Sequence, residues 1–270
     1  MKRRASDGRY YAKRSMGQNF LIDTGVINRI IRAADIQPKE FVIEIGPGQG
    51  ALTAGLLGSG ARITAIELDR DLIVPLKEKF GSDPNFRIIE SDVLELDLAA
   101  VVADSAPAKL VANLPYNIST AILQKLIDAK GLFSSMVLMF QREVVERIVA
   151  PAGSSERGYL TVLVEAAFDV AHVVDVPPTA FRPQPKIWSS VVKLAPSRDP
   201  IEPLSELRHL ASAAFAQKRK TILNNLKHLY PAAALMLEKA EIDPRRRAET
   251  LDRDEWTRLT QVSAGFPRTL

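Results

Sequence analysis

The ten residues Phe41-Val42-Ile43-Glu44-Ile45-Gly46-Pro47-Gly48-Gln49-Gly50 decide how this chain is read. A short, mostly apolar run ends in a glycine-rich turn, and Ala51–Leu57 then reads as a helix. A strand that feeds a helix through such a turn presents backbone N–H groups to a ligand at the helix N-terminus. Working outward, Ile63–Ile66, Phe86–Ile89, Leu110–Ala112 and Met136–Phe140 are further short apolar runs. Helices are predicted between them, over Asp71–Phe80 with Pro75 near its first turn, and over Ser119–Ala129 with Ser119 or Thr120 as its cap. Val144–Val149 lies in another helix, and β-rich runs follow at Phe168–Val174 and Ser190–Leu194. Continuous apolar strands that alternate with helices indicate a mostly parallel sheet covered on both faces.

Pro196–Pro203 reads as a linker, and residues 204–263 show helical periodicity with no convincing strand. The expected organisation is a doubly wound, Rossmann-like α/β domain over 1–200, beginning with a basic tail at 1–14, and a small all-helical domain over 201–270. A chain of 270 residues with 46% hydrophobic content buries a core without disulfides or structural metal. It contains no cysteine, which excludes thiol catalysis, disulfide frameworks and Cys-based zinc sites. His172, His209 and His228 are too scattered to suggest a metal cluster, so no metal is expected. No apolar run approaches the ~18 residues of a membrane span, and the first residues lack the apolar core of a signal peptide. A soluble cytoplasmic protein without a membrane partner is the expectation.

Charge is unevenly spread. Residues 1–14 hold six Lys/Arg against Asp7 alone, and residues 207–237 hold five Lys/Arg and no acid, whereas the middle of the chain is mildly acidic. Basic ends around an acidic middle suggest a small ligand in the middle and a polyanion at the ends, although solvated tails give the same pattern. Lys218, Arg219, Lys220 and Lys227 are the candidates for phosphate contacts.

The glycine loop with Ala51 satisfies G-x-G-x-x-A, which is weakly specific and compatible with NAD as well as with S-adenosylmethionine. Gly46 and Gly48 would lie against the ligand. Glu67 ends the second strand, where a carboxylate accepts ribose hydroxyls; the competing reading groups it with Asp69 and Asp71 at a helix N-terminus. Asp92 follows the third strand, in position to accept from an adenine amino group. Gln18-Asn19-Phe20-Leu21 precedes the first strand and would fold over the cofactor to complete its pocket.

Asn113-Leu114-Pro115-Tyr116 follows the fourth strand directly, at the carboxyl edge where such sheets place their sites. Alkylating an exocyclic adenine amine needs help, because the nitrogen lone pair is delocalised into the ring. Two acceptors aimed at the amine hydrogens, the Asn113 amide oxygen and the Leu114 carbonyl, favour a tetrahedral nitrogen. Pro115 stiffens the turn, and Tyr116 offers a face for an extruded base, worth ~1–3 kcal/mol. Phe181, in the proline-locked loop Phe181-Arg182-Pro183-Gln184-Pro185-Lys186, would press on the opposite base face; the alternative puts it in the core.

AKRSMGQNFL, VIEIGPGQGALT, IELDRDL, SDVLELDL, NLPYNIST and FRPQPKIWSSVV together resemble the ribosomal RNA adenine N6,N6-dimethyltransferase family, closest to its bacterial small-subunit branch. The resemblance covers nearly the whole chain, including AFAQKRKTILNNL near its end. It implies a class I methyltransferase fold and S-adenosylmethionine as donor. The implied target is a pair of adjacent adenosines in the 3′-terminal hairpin loop of small-subunit rRNA, each dimethylated during late subunit assembly. It places cofactor contacts at Asn19, Leu21, Gly46, Glu67, Asp92 and Asn113, and the target adenine between Asn113, Leu114, Tyr116 and Phe181. The expected partners are this rRNA and the immature small subunit, with the enzyme a monomer. Ile187 and Trp188 stand where the family varies, and Trp188 alters the rim of the site. Large-subunit rRNA adenine methyltransferases are the related alternative. An assembly factor whose methyl transfer is secondary and an NAD-dependent oxidoreductase are the alternatives of other classes.

Overall fold

The computed structural model describes Lys13 and residues 18–269, apart from the side chain of Asp104. The basic tail expected over 1–14 therefore lies outside the described residues, except for Lys13. The chain divides into two compact units, Met1–Arg142 with Val170–Ala195, and Glu143–Asp169 with Pro196–Leu270. Among the described residues no helix is long and apolar enough to cross a membrane.

The first unit opens with β1 (Phe20–Leu21) and α1 (Thr24–Ala34), whose N-terminus is capped by Asp23. There follow β2 (Phe41–Ile45), α2 (Ala51–Gly58), β3 (Arg62–Glu67), α3 (Arg70–Phe80), β4 (Phe86–Glu90), α4 (Leu98–Val102), β5 (Ala108–Asn113), α5 (Ser119–Asp128) and β6 (Phe133–Gln141). After α6 (Arg142–Ile148) and α7 (Tyr159–Ala167) come β7 (Phe168–Val176), β8 (Phe181–Arg182) and β9 (Ser189–Pro196). The main sheet has seven strands in the order β4-β3-β2-β5-β6-β9-β7. β4, β3, β2, β5 and β6 are parallel to their neighbours, and β9 runs antiparallel to β6. The order reverses between β2 and β5, and ligands of open α/β sheets bind at the carboxyl ends of strands at such a switch point. β1 and β8 form a separate antiparallel pair, Leu21 opposite Phe181 and Phe20 opposite Arg182.

Two local expectations are corrected. Ser119 and Thr120 do not cap α5: Ser119 is its first residue, and its hydroxyl donates to the Tyr116 carbonyl at 3.3 Å. Helix α3 starts at Arg70, one residue before the expected Asp71, because Asp69 caps it, and Pro75 stands just beyond the first turn.

In the second unit α7 is apolar nearly all round and buried along most of its length. It packs with α8 (Leu204–Ala214) and α11 (Arg253–Ser263), and the unit also holds α9 (Ile222–Leu226), α10 (Ala233–Lys239) and all but the first residue of α6. Residues 196–203 are no free linker: Ser197 N–H donates to the Ala167 carbonyl at 2.9 Å and Ile201 N–H to the Ala166 carbonyl at 3.1 Å. The buried Arg157 ties the same unit together, donating to Glu165 at 2.6 Å and to the Ala150 and Leu251 carbonyls at 3.1 Å each. The division expected at 200/201 thus differs over 143–169, which supplies the central helix of the helical unit.

Beneath the glycine loop, Glu44 on β2 is buried and accepts from the Thr53 hydroxyl of α2 at 2.7 Å. Burial pushes its carboxyl up to about 7, against the opposing pull of the Thr53 bonds. A carboxyl whose pKa rises on folding is protonated in both states below the ordinary value of 4.5, and folding costs more as pH climbs from there to about 7. That rise corresponds to about 3 kcal/mol. Glu44→Gln should therefore gain stability relative to the parent between pH 5 and pH 8 in urea denaturation. A gap that is equal at both pH values would refute the buried, raised carboxyl.

Candidate active site

The carboxyl edge of the first unit's sheet holds a cleft of about 260 Å³. Its floor is the glycine loop after β2. Gly48 has φ +58°, and a Cβ there would come within 3.0 Å of the Phe20 ring, so the loop lies tight against the segment that precedes α1. Gly46, Gly48, Glu67 and Asp92 all line the cleft, as expected. So do Gln18, Asn19 and Leu21 from the N-terminal side, and Asn113, Leu114, Pro115 and Tyr116 from the turn after β5.

Glu67 ends β3 almost fully buried. Its carboxylate accepts from Asp69 N–H at 2.8 Å and from Gly48 N–H at 3.4 Å. Burial raises its pKa, with the two N–H groups opposing and Asp69 adding to the rise. The helix-terminus reading belongs to its neighbour: Asp69 caps α3, accepting from Asp71 N–H at 3.1 Å. Asp92 accepts from Leu94 N–H at 2.8 Å. Among the described residues, the lining includes the carboxylates Glu67 and Asp92 and no Lys, Arg or His.

The Asn113 amide is oriented by the N-terminal segment. Its Nδ2 donates to the Asn19 carbonyl at 3.1 Å, and its Oδ1 accepts no hydrogen bond among the described residues. Leu114 N–H donates to the Met139 carbonyl at 3.3 Å, which ties the turn to β6. Tyr116 is half-buried, and its hydroxyl lies 2.5 Å from the Ser189 hydroxyl at the start of β9. Burial raises the phenol pKa, with the Ser189 bond opposing.

Phe181 is the exception. It was expected to face Tyr116 across a base, but it is 1% exposed and belongs to the core with Leu21, Val176 and Ala180, outside the cleft lining. Pairing of β8 with β1 turns Phe181 inward opposite Leu21 and leaves Arg182 exposed. The four phosphate-contact candidates lie in the second unit, all exposed. Lys218, Arg219 and Lys220 sit on the turn between α8 and α9 rather than on a helix face. The buried Asn225 braces that turn, donating to the Ala214 carbonyl at 2.5 Å and the Gln217 carbonyl at 3.1 Å. Lys218 donates to the Ser155 carbonyl at 2.6 Å and Lys227 to Asn224 at 3.0 Å.

Sequence reading missed two contributions. Ser189, which holds Tyr116, gave no signal beyond its place at a strand start. Lys13 pairs with Asp69 at 2.5 Å and Asp71 at 2.7 Å, and Gln18 donates to Asp69 at 2.8 Å, so the N-terminal segment is fastened to the start of α3. The basic residue of AKRSMGQNFL and the acids of IELDRDL carried that signal.

Strand order, glycine loop, strand-end acids and the Asn-Leu-Pro-Tyr turn define a class I methyltransferase. The model of the family described as ribosomal RNA adenine dimethylase matches residues 10–264, and the chain belongs to that family. Among its relatives, ribosomal RNA small subunit methyltransferase A of Pseudomonas aeruginosa is 43% identical over 259 residues, 95% of this chain and 96% of that one. The protein of the same name from Syntrophotalea carbinolica is 45% identical over 256 residues, 93% and 96% of the two chains. A dimethyladenosine transferase from Plasmodium falciparum shares the fold with a TM-score of 0.78 at 29% identity, over 91% of this chain and 97% of that one. The 23S rRNA methyltransferase ErmE follows at 0.70 and 26%, over 90% and 99%.

Proposed function

We propose that this enzyme dimethylates, at N6, two adjacent adenosines in the 3′-terminal hairpin loop of small-subunit rRNA, with S-adenosylmethionine as donor. It acts on the immature small subunit late in assembly, in the cytoplasm and as a monomer. Identity of 40–45% to small-subunit methyltransferases, against 26% to the 23S enzyme, favours the small-subunit target.

The observation that carries the reading is the Asn113 amide, whose nitrogen is engaged by Asn19 so that its oxygen remains for a substrate. Asn113 Oδ1 and the Leu114 carbonyl accept the two N6 hydrogens and draw the amine toward tetrahedral geometry, which frees its lone pair. Tyr116, held by Ser189, offers its ring to the base. Once one methyl is in place a single N–H remains, and one acceptor suffices for the second transfer. The nitrogen becomes acidic when it carries positive charge, so its proton leaves to water without a strong base. Positioning is the main catalytic contribution.

The cleft suits the donor: Glu67 would accept ribose hydroxyls and Asp92 an adenine amine, and no cation among the described lining residues opposes a sulfonium. Bound there, S-adenosylmethionine supplies an electrophilic methyl group. Gln18, Asn19, Leu21, Gly46 and Gly48 would complete its enclosure. Phe181 is left out of this proposal because the core holds it.

Asn113→Ala should cut methyl transfer to unmodified small subunits at least a hundredfold, measured with labelled donor. Transfer at the parental rate would exclude the acceptor role. Ionised Glu67 accepts both hydroxyls more strongly than the neutral acid, and its pKa is raised, so donor affinity is full above that pKa and weakens as pH falls through it. Calorimetry should find this acid limb above the ordinary 4.5 in the parent, and weak, flat binding in Glu67→Gln. A limb that survives in the variant assigns it elsewhere. Subunit binding should weaken steeply with salt, and replacing Lys218, Arg219 and Lys220 together by Ala should lower the log–log slope by roughly 2–3. An unchanged slope moves the RNA surface away from the α8–α9 turn.

A further inference from the structure

Residues 182–188 lead from β8 to β9 and are exposed along most of their length. They carry Arg182 and Lys186, no acid, and two large apolar side chains in water, Ile187 at 39% and Trp188 at 47% exposure. Among the described residues, the side chains of Arg182, Lys186 and Trp188 make no hydrogen bond, ion pair or ring contact. The backbone beneath the indole is nevertheless fixed: the Trp188 carbonyl accepts from Arg142 N–H at 3.0 Å, and Ser189 pairs with Gln141 at the carboxyl end of β6. Ser189 is also the residue that holds the Tyr116 hydroxyl at 2.5 Å, so Trp188 stands one chain step, ~3.8 Å between Cα atoms, from the grip on the wall of the cleft.

An unpaired aromatic ring beside cations on a fixed backbone is the chemistry that binds an unpaired nucleotide: the ring stacks on the base and the cations take neighbouring phosphates. We propose that Trp188, with Arg182 and Lys186, is a stacking platform for the nucleotide adjacent to the adenine admitted to the cleft. This rests on the proposed reaction, in which the two target adenosines are neighbours. When one is drawn out of the loop toward Asn113, its neighbour loses its stacking partner within one nucleotide of the rim, and the indole replaces it. Each adenosine then occupies the platform while the other occupies the cleft.

The chain has two tryptophans, and Trp256 is fully buried, so the solvent-accessible part of the emission belongs to Trp188. The probe is a synthetic RNA hairpin with two adjacent adenosines in its loop, and the control is a duplex of the same composition. The hairpin should quench parental emission in step with binding followed by anisotropy, the duplex should not, and Trp188→Phe should lose the quench. With labelled donor and unmodified subunits, Trp188→Ala should raise KM about tenfold, and Trp188→Phe, which keeps a stacking ring, should restore it. Hairpin binding without quenching, equal quenching by the duplex, or an unchanged KM in Trp188→Ala would overturn the platform. Failure of the underlying reaction is distinguishable: the parent enzyme would then transfer no label to unmodified subunits, whereas the quench is read on binding alone.

Discussion

The hydrogen bond from the Asn113 amide nitrogen to the Asn19 carbonyl is the constraint on which the site depends. A primary amide presents a donor and an acceptor of similar shape, and only its surroundings decide which faces a ligand. Here a backbone acceptor takes the nitrogen, so the oxygen faces the cleft. That acceptor lies in a segment with its own anchors: Lys13 and Gln18 on Asp69, and β1 against β8. Asp69 also caps α3, so one carboxylate couples the helix that follows β3 to the strap that orients Asn113. A perturbation at that carboxylate is linked to Asn113 through two hydrogen bonds, Gln18 to Asp69 and Asn113 to Asn19, joined by the peptide bond between Gln18 and Asn19.

The sheet supplies the second coordinate. Asn113 is the last residue of β5, paired in parallel register with Met139 of β6, and the next N–H, from Leu114, still bonds to β6. Asn113 is therefore carried by a fully paired central strand, and Leu114, in the turn just beyond it, is still tied to β6 through its own N–H. Tyr116 is held from the far side by Ser189 at the start of an antiparallel strand. A reaction that depends on positioning needs its groups fixed to within a fraction of an ångström, and elements of a paired sheet provide that more reliably than loops.

How far the primary structure could be read follows the same physics. Strands that repeat an apolar pattern, and acids that end them, were legible because burial and edge position leave a mark residue by residue. Glu67 and Asp92 reached the cleft as expected, and so did Asn113 through Tyr116. Helix α7 left only a faint mark: apart from Glu165 it is apolar nearly all round, so its amphipathic period is weak, and its place in the helical unit depends on partners distant in the chain. Phe181 was undecidable from its type, since an aromatic ring serves a core and a stacked base equally well. Only the register of β8 against β1 turns it inward. The basic run at 218–220 looked helical because its flanks are, yet Asn225 satisfies the Ala214 carbonyl that ends α8 and the Gln217 carbonyl beyond it, and holds the run as a turn.

The glycine loop was the most ambiguous feature, and the charge around it bears on the choice of ligand. A dinucleotide brings a pyrophosphate to such a loop and relies on the N–H groups at the following helix N-terminus to balance its charge. In this chain the Gly48 N–H faces the Glu67 carboxylate, and the described residues of the cleft wall include Glu67 and Asp92 and no cation. Beneath the loop, Glu44 is kept from ionising freely by burial, with Glu67 adding to that rise. Two further negative charges would meet carboxylates at short range in a low-dielectric cleft, where repulsion is weakly screened. S-adenosylmethionine, with a sulfonium and an ammonium against one carboxylate, would meet the reverse: the same cleft carboxylates would accept its hydroxyls and offset its net positive charge. The loop motif alone admits both ligands, and the acids around it, with no cation among the described lining residues, favour the cationic one.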